Sequence, residues 1–209
     1  MQPQEPQTRA ATKPKPGSNE QRTLCSGTIR AIEGDGNERR FRLSFSSEEP
    51  YERWGGIEIL DHADGAVDLT RINEIGVVLY NHNRDVVIGK ILRAWIENNR
   101  GEAEIEFDTD EESEVIYQKV KGGTLKGVSV GYRIDSLEEV VAGKQSTDGR
   151  FTGPCEIARK WWPYEISIVS VPADGTVGVG RQAEPNGRSI PIDLLECQLQ
   201  INQNGGKTA

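Results

Sequence analysis

The chain has 209 residues and a formal net charge of −8, from 25 Lys and Arg against 33 Asp and Glu. This length fits one domain with tails, and the acidic balance argues against a non-specific binder of nucleic acid or of an anionic membrane, because both attract basic surfaces. The three scattered cysteines, Cys25, Cys155 and Cys197, include no C-x-x-C pair, so neither a disulfide framework nor a Cys-rich zinc site is expected.

Residues 1–23 are predicted to form a disordered arm. They contain four of the ten prolines and almost no apolar side chain, a composition that does not form a packed core. No apolar run approaches the roughly 18 residues of a membrane span, and the N-terminus lacks the apolar stretch of a secretory signal. We therefore expect a soluble protein of a reducing cytoplasm that has no membrane partner.

Short apolar runs separated by turn signals begin at residue 24. Asn98-Asn99-Arg100-Gly101 is typical of a hairpin turn, and the glutamates that follow it alternate with apolar residues, which indicates one buried and one solvated face. The regular spacing of the runs favours a β-barrel or a β-sandwich. Strands are predicted at 26–32, 40–45, 56–60, 76–80, 86–96 and 102–107.

The next part of the chain is predicted to contain one helix and two more strands. Residues 110–121 have apolar side chains at helical spacing, including Val115, between a capping residue and a glycine pair. Strands are predicted at 125–134 and 161–171. The polar insert between them, at about 135–159, is interpreted as a mobile surface loop.

A short amphipathic helix at 190–201 and a flexible tail at 202–209 complete the chain. The folded domain is therefore predicted to comprise residues 24–201.

Ser129 has an unusual setting within the predicted strand at 125–134. Side chains alternate along a strand, so Ser129 shares its face with positions 127 and 131, and both are glycine. A hydroxyl on such bare backbone is open to an approaching extended peptide. Alternatively, the glycines mark a bulge or a crossing point and Ser129 only fills space. The G-x-S-x-G pattern lacks the strand-turn-helix context of a hydrolase elbow.

The chain has two histidines, His62 and His82, which limits mechanisms that need a base titrating near neutrality. His82 follows the apolar run 77–80, where a strand end can hold the ring toward a cleft. It also fits a surface position in an Asn-rich turn. His62 lies in the acidic turn Asp61-His62-Ala63-Asp64 and is expected to be solvated.

Glu165 opens the apolar segment Glu165-Ile166-Ser167-Ile168 and shares one face with Ser167. This position suits either an acid that orients another side chain or an edge-strand partner of a Lys or Arg. Histidine spacing provides no H-x-H or H-x-x-x-H pair for zinc. No phosphate loop has the required order, so we predict no metal and no cofactor.

Three segments in this order resemble the prohead serine proteases of tailed phages, which are similar to herpesvirus assemblin. They are LYNHNRDVVIGK around His82, GGTLKGVSVGY around Ser129 and WWPYEISIVSVPAD around Glu165. The resemblance covers roughly residues 30–177. It implies a mostly β (α+β) fold, namely a small antiparallel β-barrel with flanking helices, like that of the herpesvirus protease.

The resemblance also implies a serine endopeptidase in which Ser129 is the nucleophile, His82 the general base and Glu165 the orienting acid. Assemblin has a second histidine in the third role, and the spare histidine here, His62, lies upstream of the base, which favours Glu165.

The implied substrates are scaffold or scaffold-like segments of the capsid protein and the protease itself, cut inside the assembling prohead in the host cytoplasm. A homo-oligomer is left open. Two rival hypotheses are a catalytically silent capsid- or scaffold-binding barrel and an acidic assembly factor that works through its tails.

Overall fold

A computed structural model describes residues 15–17, 19–24, 29–34, 36–53 and 56–171. The predicted helix at 190–201, the tail at 202–209 and most of the predicted arm lie outside these residues. Within them, no helix is long and apolar enough to cross a membrane.

Ten strands and two helices make up the described part of the chain. The strands are β1 (Asn19–Leu24), β2 (Arg30–Ala31), β3 (Arg40–Ser47), β4 (Tyr51–Arg53), β5 (Gly56–Leu60), β6 (Val77–Tyr80), β7 (Asn83–Glu97), β8 (Arg100–Phe107), β9 (Gly127–Val140) and β10 (Cys155–Val169). The helices are α1 (Thr70–Ile75), which was not predicted, and α2 (Glu111–Lys121). The fold is therefore mostly β, as predicted.

The ten strands form one sheet. Eight of them follow the order β1-β9-β10-β6-β7-β8-β3-β2, and off this path β5 pairs with β10 and with β4. Pairing is mostly antiparallel, but β10 runs parallel to β5 and to β6, so the sheet is mixed. Across the described residues the sheet path ends at β1 on one side and at the two-residue β2 on the other. Because a barrel requires its terminal strands to pair, the predicted antiparallel barrel is not confirmed.

The hairpin β7–β8 follows from its sequence. Asn98 and Asn99 have φ values of 52° and 57°, which is the left-handed backbone that a tight hairpin turn needs and that Asn tolerates. Along β8, alternate residues from Gly101 to Phe107 are buried and the glutamates between them are partly exposed. The predicted turn and the predicted alternation are both confirmed.

Helix α2 also lies where the periodicity predicts it. The side chain of Asp110 accepts a hydrogen bond from the backbone N–H of Ser113 and so caps the first turn. Ile116 and Val120 are buried against the sheet, whereas Val115 is half exposed. The predicted apolar face was therefore wrong at Val115.

The polar insert predicted at 135–159 is strand at both of its ends. β9 extends to Val140 and β10 begins at Cys155, so the residues between the two strands are 141–154. The outer end of this hairpin combines a small apolar cluster of Val140, Cys155 and Ile157 with ion pairs. Arg159 contacts Asp148 at 2.8 Å and Glu138 at 2.6 Å.

Residues 19–24, most of which the sequence assigned to the arm, form β1. This strand pairs antiparallel with β9 along its whole length. Its composition gives no apolar signal because the contact is made mainly by backbone groups.

Candidate functional site

Three neighbouring strand segments bring His82, Ser129 and Glu165 together. β10 pairs on one side with β9, where Ser167 lies opposite Ser129, and on the other with β6, where Ile168 lies opposite Tyr80. Glu165 is on β10, Ser129 on β9, and His82 follows β6 in the turn to β7. Side chains that are distant in sequence thus meet across adjacent strands.

A continuous chain of hydrogen bonds connects the three side chains. His82 Nε2 lies 2.7 Å from Ser129 Oγ, and His82 Nδ1 lies 2.7 Å from Glu165 Oε1. A carboxylate only accepts hydrogen bonds, so Nδ1 carries the ring proton and Nε2 is left to accept from the Ser129 hydroxyl. This arrangement can remove a proton from Ser129 and stabilise the imidazolium that results.

The backbone of His82 has an uncommon conformation. Asn81 and His82 have φ values of 52° and 59°, in a region that residues other than glycine rarely occupy. Contacts with β10 hold the turn: the His82 N–H donates to Ser167 Oγ at 3.2 Å, and the Asn81 N–H donates to the Ile168 carbonyl at 2.9 Å. The Asn-rich turn therefore fixes the direction of the imidazole.

Gly131 makes room for the carboxylate. A Cβ at this position would overlap Oε1 of Glu165 and would lie 2.6 Å from the ring of Tyr164. The space over Gly131, which the sequence predicted to be open beside Ser129, is therefore occupied by the side chains of Tyr164 and Glu165 from β10. Burial first, and then the negative charge of Glu165, raise the pKa of Tyr164.

Ser167 also belongs to this constellation, although the sequence interpretation assigned it no role. Its hydroxyl donates to Glu165 Oε2 at 2.7 Å and accepts the His82 N–H. The shared face of Glu165 and Ser167 was a visible signal in the sequence, but it did not indicate that Ser167 also contacts the histidine turn.

His62 is buried, contrary to the expectation of a solvated turn. Only 3% of the residue is exposed, Nε2 lies 2.7 Å from Ser46 Oγ, and Nδ1 lies 2.8 Å from the Leu60 carbonyl. Burial lowers the pKa of His62 from 6.5 to about 4. The expectation was wrong because Asp61 forms ion pairs with Arg150 and Arg159 instead of facing solvent. The imidazole of His62 packs against the ring of Trp161.

Both ring nitrogens of His62 are engaged by Ser46 and Leu60, and within the described residues His62 makes no contact with His82, whose Nδ1 pairs with the Glu165 carboxylate. In the described part of the chain, no group of three or more His, Cys, Asp or Glu side chains is arranged to hold a metal ion.

Comparison with known proteins found two similarities. Residues 61–185, more than half of the chain, match the family described as caudovirus prohead serine protease. The chain is 36% identical over 166 residues to a protein named "Major capsid protein" from Halomonas phage phiHAP-1. That alignment covers 77% of this chain and 26% of the relative, so the chain spans about a quarter of the relative's length. No solved structure was found to match.

Proposed function

The chain belongs to the caudovirus prohead serine protease family, and from this premise we propose that it is a serine endopeptidase of capsid maturation. In this proposal Ser129 is the nucleophile, His82 the general base and Glu165 the acid that orients it. The observation that carries the proposal is the unbroken hydrogen-bond chain from Ser129 through His82 to Glu165, with 2.7 Å at each step.

The reaction proceeds through an acyl-enzyme. His82 Nε2 takes the hydroxyl proton as Ser129 Oγ bonds to the carbonyl carbon of the scissile peptide. The C–N bond then breaks, and the amine leaves with the proton that His82 returns. Water, deprotonated by the same nitrogen, attacks the ester and releases the acid and Ser129. Glu165 keeps the imidazole in the required tautomer and balances its transient charge.

The proposed substrates are scaffold or scaffold-like segments of capsid proteins, and the enzyme itself. The name of the phage relative supports a capsid protein as the partner, and the family supports action inside the assembling prohead, in the host cytoplasm. Because the relative is much longer than the aligned segment, its whole activity and its partners come to this chain only as part of the proposal.

Replacing the nucleophile tests the proposal. We expect Ser129→Ala and His82→Ala each to reduce cleavage of the co-expressed capsid or scaffold protein by several orders of magnitude, because the members of a triad act as a unit. Ser136→Ala is the matched control, because this serine is exposed on β9, the strand that carries Ser129, and should leave cleavage intact. Undiminished cleavage by Ser129→Ala contradicts the proposal.

A second candidate is a catalytically silent capsid-binding domain, which the capsid-protein name of the relative favours. A serine-directed fluorophosphonate separates the two functions. An activated Ser129 becomes covalently labelled, and the Ser129→Ala variant does not. If the chain binds capsid protein but never labels, the silent domain is the correct assignment.

A further inference from the structure

We propose that β1 occupies the edge of β9 along which an extended peptide substrate binds, so that residues 19–24 compete with the substrate for that edge. This inference rests on the proposed function, because it concerns access to Ser129. It also identifies the ligand class as an extended segment with a basic side chain at the position of Arg22.

The register of β1 carries the first step. β9 has two edges, and β10 takes one of them, with Ser167 opposite Ser129. β1 takes the other, with Thr23 opposite Ser129 and Gln21 opposite Gly131. Opposite residues of antiparallel strands have Cα atoms roughly 4.5–5.5 Å apart. On the edge of β9 that faces away from β10, the backbone nearest Ser129 is therefore that of β1.

The burial of Ser129 gives the second step. This residue is 0% exposed, whereas 18% of the His82 side chain is accessible. Peptides that bind by adding a strand to a sheet need unpaired backbone groups on the edge strand. Along 128–133 these groups already face β1, so a substrate strand can pair beside Ser129 only after β1 leaves.

β1 is attached mainly by polar contacts, which water or a competing peptide can replace: its backbone ladder with β9 and a few side-chain contacts such as the Glu20–Arg53 ion pair at 3.0 Å. In the sequence NEQRTL, Leu24 is the single apolar residue, so little apolar area contributes to the attachment. Arg22 is buried, and Nη1 has no hydrogen-bond partner among the described residues. The backbone ladder that remains is one that any extended peptide can form.

The surroundings of Arg22 define what a competing peptide would bring. Nη2 donates to the Glu49 carbonyl, and the guanidinium lies 5.1 Å from the ring centroid of Tyr51. Glu58 accepts a hydrogen bond from Tyr132 and pairs with Arg53 at 3.2 Å, so Arg22 has both a negative and a second positive charge nearby. A carbonyl, an aromatic face and a carboxylate together favour a cationic side chain.

A reversible disulfide tests occupancy. Asn19 and Arg133 are opposite, exposed residues of β1 and β9, at a separation that a disulfide can bridge. With Cys25, Cys155 and Cys197 replaced by Ala, Asn19→Cys plus Arg133→Cys can be oxidised to lock β1 in place. We expect the rate of fluorophosphonate labelling of Ser129 to fall at least tenfold on oxidation and to recover on reduction.

The matched control is Arg93→Cys plus Glu104→Cys in the same background, which locks opposite residues of β7 and β8, strands that carry none of the three site residues. Oxidation should leave its labelling rate unchanged. Equal labelling of the locked and reduced β1 variant overturns the inference and makes β1 a permanent strand. If neither form labels, the proposed function fails and this inference fails with it.

Two peptides test the ligand class. Arg22→Ala should speed labelling of Ser129 by weakening β1, and a synthetic peptide of residues 16–24 should then slow it by refilling the edge. The same peptide with alanine in place of Arg22 should need at least tenfold higher concentration. Equal potency of the two peptides would show that the basic side chain is not required. If Arg22→Ala fails to fold, the disulfide test still decides whether β1 occupies the edge of β9.

Discussion

Ser167 hydrogen-bonds both to His82, the proposed base, and to Glu165, the proposed acid. Its hydroxyl donates to the Glu165 oxygen that His82 does not use, and it accepts the backbone N–H of His82. One buried side chain therefore fixes the carboxylate and the unusual histidine turn together. It acts on the reaction only through these two neighbours, as a positioning residue.

We expect Ser167→Ala to lower kcat about 10- to 100-fold with little change in KM. A hydrogen bond to a charged group is worth about 1.5–3 kcal/mol, and about 1.4 kcal/mol corresponds to a factor of ten in rate. The measurement is capsid-protein cleavage, together with its pH profile, which should shift because the carboxylate that supports the base is altered. Ser136→Ala, at an exposed position of β9, provides the comparison, and an unchanged profile in Ser167→Ala would assign Ser167 a structural role only.

The family resemblance selected His82, Ser129 and Glu165, for each of which local patterns had left an alternative open, but nothing in the sequence indicated the contacts of Ser167 or the burial of His62. The first three lie in segments with a distinctive local order. Ser167 looks like an ordinary polar residue on an alternating strand, and its contact with His82 depends on the parallel pairing of β10 with β6. His62 was predicted to be solvated because its neighbour Asp61 is acidic. Asp61 is instead paired with Arg150 and Arg159, which are 89 and 98 positions away in the chain, so no local pattern shows the pairing.

At the scale of elements, the hairpin β9–β10 supplies two of the three site residues and extends well beyond them. Its inner part was predictable from alternation, whereas its outer part combines a small apolar cluster with ion pairs between residues far apart in the chain. Arg150 and Arg159 both contact Asp61 in the turn after β5. Burial opposes ionisation of Asp61, but the Ala63 N–H and the two guanidinium groups lower its pKa overall.

We expect Asp61→Asn to loosen residues 141–154 without unfolding the sheet. The neutral amide loses most of its attraction for two arginines, and removing one partner from a buried ionic cluster is destabilising. Limited proteolysis with trypsin should then cut faster at Lys144 or Arg150, by at least severalfold. Asp64→Asn, an exposed position in the same turn, is the control, and equal digestion of the two variants would contradict the role assigned to Asp61.

For the whole molecule, strand order is the feature that sequence could not provide. Short strands with turn signals predicted a mostly β fold, and the β7–β8 hairpin was predictable because its turn chemistry is local. The parallel neighbours of β10 are β5 and β6, which connect segments far apart in the chain, and the pairing with β6 brings the histidine turn close to Ser129. No local pattern specifies such pairings, nor does any indicate that a polar N-terminal segment adds β1 to the sheet.

His62 joins distant parts of this sheet. Its ring contacts Ser46 on β3 and packs edge-on against Trp161 on β10, and the Trp161 indole N–H donates to the Asp61 carbonyl at 2.8 Å. The imidazole is neutral in the folded protein because burial lowers its pKa to about 4. Protonation of His62 thus opposes the packing of several strands at once.

The free energy of unfolding should therefore decrease as the pH falls from 6.5 to about 4, the interval between the unfolded and folded pKa values of His62. Above pH 6.5 the imidazole is neutral in both states and contributes no pH dependence. Between 6.5 and about 4 the unfolded chain binds a proton that the folded chain does not, so the free energy of unfolding decreases as pH falls, by on the order of 3 kcal/mol in total. Urea unfolding at about pH 7 and about pH 4.5 measures this loss. In His62→Gln most of it should disappear, because the amide does not titrate, whereas an equal loss in the variant and the parent chain would show that His62 is not its source.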